Sequence, residues 1–127
     1  MKEKEIINID NLIKDLKRLG HKIVERVEEL SGKSETELTE EEKSELKEKK
    51  DFIGDINKVA FRLLEQVRLG NKDNVFYMLL RCFKANNQIF PNELIEAFKQ
   101  ENEKYFKTLI FSFLAPILSR EEKNKRR

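Results

Sequence analysis

The chain is 127 residues long, the size of one domain, and charged residues make up 39% of it, the same share as hydrophobic ones. A lone cysteine, Cys82, excludes an intrachain disulfide framework and fits a reducing compartment, and with the single histidine, His21, it falls short of the four ligands of a structural zinc site. The longest apolar run, Leu109 to Leu118, is ten residues, about half of a membrane span. The charged start has no signal-type apolar stretch, so the expectation is a soluble cytoplasmic protein with no membrane partner.

Apolar spacing predicts helices throughout. Leu12, Leu16, Leu19, Ile23, Val27 and Leu30 recur at three and four, a helix stripe, with Asp10 placed to cap its start and Ser31-Gly32 to end it through a left-handed glycine. Gly20 inside this helix costs about 1 kcal/mol relative to alanine, which a bend or a close helix contact would explain. Residues 33–51 are nearly free of apolar side chains, apart from Leu38 and Leu46. Thr39 and Glu42 have the spacing of a capping box, so a loop followed by a solvated helical lead-in is expected, mobile and tolerant of insertion.

From Phe52 the stripe resumes through Ile53, Ile56, Val59, Ala60, Leu63, Leu64 and Val67 and closes at Gly70. Asn71 to Asp73 offer caps for a helix carrying Val75, Phe76, Leu79, Leu80 and Phe83, which breaks at residues 85–88. Pro91 suits a first helical position ahead of Leu94, Ile95 and Phe98. A last helix carries Tyr105, Phe106, Leu109, Ile110, Phe113, Leu114, Ile117 and Leu118, and Pro116 must kink or end it. The fold class is all-α: one bundle of about five helices over residues 1–118, a charged segment at 32–51 and a basic tail at 119–127. Nearly apolar on all sides, the last helix is expected to be central or pressed against a partner.

Catalytic chemistry finds few candidates. His21 reads as a solvent-edge helix residue without a partner, and Cys82 as a small thiol beside an apolar stripe. There is no glycine-rich phosphate loop, no HExxH and no calcium loop, so neither an enzyme, a cofactor nor a small-molecule substrate is expected.

Cations are more informative. Residues 1–51 carry 12 basic and 15 acidic side chains, whereas residues 52–127 carry 14 and 9. At about 100° per residue, Tyr77, Arg81 and Lys84 share a flank away from Phe76, Leu80 and Phe83, and Lys58 and Arg62 lie one turn apart, with Arg68 on another flank. An aromatic ring beside cations suits a single strand, the charges taking phosphates and the ring stacking on a base. The competing expectation is that Lys58, Arg62, Glu65 and Asp55 form ordinary surface ion pairs worth ~0–1 kcal/mol. Arg120 and Lys123 of the tail are candidates for a phosphate-binding arm.

The stretches Val59-Ala-Phe-Arg-Leu-Leu64, Val67-Arg-Leu-Gly-Asn71, Val75-Phe-Tyr-Met-Leu-Leu-Arg81 and Ile89-Phe-Pro91, followed by a phenylalanine-rich last helix over Phe106 to Leu118, resemble the carboxy-terminal helical domain of large subunits of type I, I-B-like CRISPR Cascade complexes. The resemblance covers residues 52–118. That domain is also made as a free small subunit, which a chain of this length fits. The resemblance implies a non-enzymatic bundle that contacts the large and backbone subunits, further copies of itself, the guide RNA–DNA hybrid and the displaced single-stranded DNA. Its matching cations are Arg62, Arg68 and Arg81; Arg81 in the family pattern either closes the bundle or faces DNA. In place of the Gly-Leu-type end of many such domains, this chain has Ala115-Pro116. Two other classes share the bulk features: a helical interaction module of adaptor or antitoxin type, and the small subunit of a type III complex.

Overall fold

In the computed structural model, which describes residues 8–126 and the side chains of residues 8–118, all regular structure is helical. Helix α1 (Ile9–Ser31) is capped by Asn8, whose Oδ1 accepts from the Asn11 N–H at 3.1 Å, and not by Asp10, which falls in the first turn, where its charge faces the positive end of the helix dipole. Its buried residues are Leu12, Leu16, Gly20, Val24, Val27 and Leu30; Leu19 and Ile23 of the predicted stripe are only partly buried, at its edge. The other end departs from expectation: Gly32 is right-handed, with φ −77°, and its N–H donates to the Glu28 carbonyl at 3.1 Å.

A 3-10 turn at Glu35–Glu37 leads to α2 (Glu40–Lys58), which starts on the predicted capping box: Thr39 Oγ1 accepts from the Glu42 N–H at 3.0 Å, and Glu42 Oε1 accepts from the Thr39 N–H at 3.1 Å. Between Glu40 and Asp51 this helix buries little beyond part of Leu46, and charge ties it to α1. Arg26 forks onto Glu45 with Nε at 2.9 Å and Nη2 at 3.0 Å, while its Nη1 donates to Glu29 at 3.0 Å. Lys33 reaches Glu42 at 3.3 Å, and Lys49 reaches Glu45 at 3.4 Å. The Arg26 hydrogen bonds hold the Glu45 carboxyl below its usual range, and the Thr39 amide followed by Lys33 does the same for Glu42.

The stretch Phe52 to Gly70, read as one helix, is divided. The chain turns at Val59 (φ −104°, ψ 9°) and α3 runs over Ala60–Leu69. Two residues earlier, Asn57 Nδ2 donates to the Ile53 carbonyl at 2.9 Å, a side-chain bond that competes with the helix ladder. This division makes six helices among the described residues, against the expected five or so. Gly70, left-handed at φ 76°, closes α3 as predicted: its N–H donates to Val67 O at 3.0 Å and the Asn71 N–H to Gln66 O at 3.0 Å.

Helix α4 (Lys72–Ala85) starts without a side-chain cap, because Asn71 Nδ2 donates instead to Gln66 Oε1 at 2.8 Å. It ends in the same motif as α3, with Asn87 (φ 58°) in the left-handed role and the Gln88 N–H on Phe83 O at 2.8 Å. Pro91 caps α5 (Asn92–Phe98) from one residue outside the predicted position. Helix α6 (Glu103–Arg126) continues through Pro116, where its end was one expectation.

Helix α6 lies at the centre. Phe106, Leu109, Ile110, Phe113, Leu114 and Ile117 are fully buried, and α1 is its most extensive neighbour. Seven phenylalanines connect the layers, with ring centroids 4.6 Å apart for Phe52 and Phe83, 5.0 Å for Phe83 and Phe90, 5.2 Å for Phe76 and Phe98, 5.3 Å for Phe98 and Phe106 and 6.1 Å for Phe83 and Phe113. Gly20 is a close helix contact: a Cβ there would lie 2.5 Å from the Phe113 carbonyl oxygen and 3.0 Å from Pro116 Cγ. Gly54 on α2 has nothing within 4 Å of its would-be Cβ.

The two glycines give opposite signs to one substitution. Gly54→Ala raises unfolding free energy by roughly 0.5–1 kcal/mol. Gly20→Ala lowers it, since overpacking at ~1–3 kcal/mol against a helix carbonyl that cannot rotate away outweighs the gain in helix propensity; urea denaturation of both variants checks the pair. The Glu45 carboxyl, lowered on folding, contributes stability that is complete above the unfolded carboxylate range and is lost as pH falls through its folded pKa. The stability gap between wild type and Glu45→Gln therefore narrows on acidification, measured as denaturation midpoints across pH.

Candidate nucleic-acid interface

Helices α2, α3 and α4 meet in a cleft of about 280 Å³, lined by one cation from each: Lys58, Arg62 and Arg81. Val59, Met78 and Ala85 supply its apolar lining, with the buried Cys82 beneath. Its walls are set by a polar lock that sequence reading missed. Asn86, buried just beyond α4, donates through Nδ2 to Asp55 Oδ2 on α2 at 2.8 Å and to the Cys82 carbonyl at 2.9 Å. A buried amide left without partners would cost about 1–3 kcal/mol, so the lock fixes α4 against α2.

Asp55 lines the cleft as well, so three cations stand against one carboxylate, whose charge the hydrogen bond from the neutral Asn86 amide leaves in place. Asp55 is engaged by Asn86 and Glu65 pairs with Arg68 at 3.8 Å. Lys58, Arg62, Arg81 and Lys84 are all exposed and take part in no ion pair among the described residues. The expected pairing of Lys58 and Arg62 with Asp55 and Glu65 is not what forms.

On α4 the inward side is Val75, Leu79, Cys82 and Phe83, whereas Phe76, expected to face inward, sits at the edge against Phe90 at 5.3 Å and Phe98 at 5.2 Å. Tyr77, Arg81 and Lys84 follow at four and three along the opposite stripe, with Tyr77 66% exposed. Arg81 thus belongs both to this stripe and to the cleft, joining Tyr77 and Lys84 to Lys58 and Arg62. Arg68 is apart from them: it lines a second cleft, with Phe61, Leu64, Glu65 and Phe111. The side chains of Arg120 and Lys123 lie outside the described residues.

The exposed Phe61 had a signal in the sequence, since at 100° per residue it points some 200° from Leu63. Asp55 and Asn86 had none, being 31 residues apart. His21 is exposed. Among the described residues no three His, Cys, Asp or Glu side chains gather as a metal site, and no helix is long and apolar enough to cross a membrane.

No protein-family model, curated protein or solved structure matches the chain.

Burial, and then the Asp55 charge, push the Cys82 thiol from its ordinary 9.0 up to about 11, so it is protonated at neutral pH and a poor nucleophile. Alkylation by iodoacetamide is therefore expected to be slow in the folded protein and fast in urea. Because the folded chain holds this proton more tightly than the unfolded chain, the associated stability is complete below about pH 9 and is lost as pH rises through about 11.

Proposed function

We propose that this chain is a non-enzymatic, nucleic-acid-contacting subunit of a CRISPR RNA-guided DNA-targeting complex, in the place of the small subunit of a type I, I-B-like assembly. The observation that carries the reading is the set of four exposed cations without carboxylate partners among the described residues, Lys58, Arg62, Arg81 and Lys84, continuous with the exposed ring of Tyr77. Ammonium and guanidinium groups take phosphates whatever the base, and a phenol ring stacks on any base. Such a surface suits a strand already selected by base pairing, where the protein steadies the displaced strand and the neighbouring hybrid without reading sequence. The all-helical bundle and the buried aromatic core support a rigid carrier for that surface, docked among the large and backbone subunits. A second reading, a protein interaction module without nucleic-acid contact, is favoured by the two phenylalanines exposed in the other cleft.

Retention of a labelled single-stranded oligonucleotide across a salt series separates the two. Wild type is expected to bind more weakly as salt rises. Lys58→Glu, Arg62→Glu and Lys84→Glu are each expected to weaken binding several-fold and to reduce the salt slope by about 0.7 for each phosphate left without its cation. Absence of binding, or binding indifferent to all three changes, overturns the nucleic-acid reading in favour of the interaction module.

A further inference from the structure

The exposed cations of the candidate interface are not arranged alike. Lys84 stands with Tyr77 on the open stripe of α4, whereas Lys58, Arg62 and Arg81, each from a different helix, line one concavity of about 280 Å³. Pockets for drug-sized ligands begin at about 300 Å³, so this cleft has room for one small group and not for a run of nucleotides.

Charge narrows what that group is. Asp55 is the one carboxylate among the lining residues, so three cations exceed it by two. A phosphate within a strand is a diester with a single negative charge. A phosphate at the end of a strand is a monoester, with about −1.5 to −2 charges at neutral pH and three acceptor oxygens. The terminal group therefore matches both the excess of charge and the number of cations, one oxygen for each. Two of those cations are guanidinium groups, whose planar fork fits phosphate oxygens. Val59, Met78 and Ala85 leave an apolar wall for the adjoining sugar.

We propose that the cleft between α2, α3 and α4 takes the terminal phosphate monoester of a nucleic-acid strand, with the following nucleotides lying along Tyr77 and Lys84. The inference rests on the nucleic-acid reading and narrows it from any phosphate to a phosphorylated end. A free mononucleotide presents the same monoester but lacks the contacts along the stripe.

Fluorescence anisotropy tests it with one internally labelled single-stranded sequence that carries a 5′-phosphate, a 3′-phosphate or hydroxyl groups at both ends. One of the two phosphorylated strands is expected to bind at least several-fold more tightly than the hydroxyl-ended strand. Methyl esterification of that phosphate, which returns it to a diester, is expected to remove most of the preference. Arg62→Gln and Arg81→Gln, both at exposed positions, are expected to bring the phosphorylated strand down to the affinity of the hydroxyl-ended one, with unchanged circular dichroism. Lys84→Gln is expected to weaken all three strands and keep the preference. An unlabelled nucleoside monophosphate is expected to compete several-fold less well than the unlabelled phosphorylated strand. Equal binding with and without a terminal phosphate overturns this inference and leaves the nucleic-acid reading standing, whereas absence of binding by every strand overturns both. A preference that survives methylation or either arginine change overturns the cleft as its source. A monophosphate that competes as well as the strand overturns the strand end in favour of a free nucleotide.

Discussion

Where α1 crosses α6 there is no space for one more methyl group. The hydrogen of Gly20 is the largest substituent that fits beside the Phe113 carbonyl and the Pro116 ring. This approach lets Leu16 and Val24, one turn to either side, close on the central helix, so the buried stripe of α1 and the apolar girth of α6 make one contiguous core. The same contact accounts for two features that look like faults in the sequence alone, a glycine within one helix and a proline within another. Each sits opposite the other, the small residue giving room to the ring.

Around that centre the polar interactions are unequal in kind. Asn86 and Asp55 form a partly buried lock with hydrogen bonds of 2.8 and 2.9 Å that ties the end of α4 to α2. Beside it Lys58 and Arg62 face solvent and take part in no ion pair among the described residues. The excess of cations on this face is thus local, three against the one carboxylate of Asp55, in a chain whose net charge is only +2. A similar economy operates on the aromatic residues: Phe83 touches Phe52, Phe90 and Phe113, so one side chain binds three segments.

Local signals carried much of this architecture. The stripe of α1, the Thr39–Glu42 box and the Gly70 terminus each depend on residues within a turn or two of one another, and spacing suffices to find them. The α2–α3 turn is also local, but Asn57 looks like any polar residue until its amide is seen on the Ile53 carbonyl. Gly32 shows the reverse error, a residue able to adopt the left-handed form that has no need to. Partners distant in sequence were illegible: Arg26 and Glu45 are 19 residues apart, Asn86 and Asp55 31. Within the candidate site the exposure of Tyr77, Arg81 and Lys84 followed from helical phase alone. The separation of Arg68 was legible in the same way, whereas the continuity of that stripe with Lys58 and Arg62 came from the packing of α2 and α3 against α4.

The amino-terminal half of α2 has a different attachment from the rest of the molecule. It is fastened at the surface by guanidinium and ammonium groups on carboxylates, with one partly buried leucine beneath. Salt screens such contacts, whereas it leaves the phenylalanine core intact. Amide hydrogens between Lys43 and Lys50 should then exchange with deuterium through a sub-global opening of their own, one that ionic strength accelerates while those of α6 keep the rhythm of whole-domain unfolding.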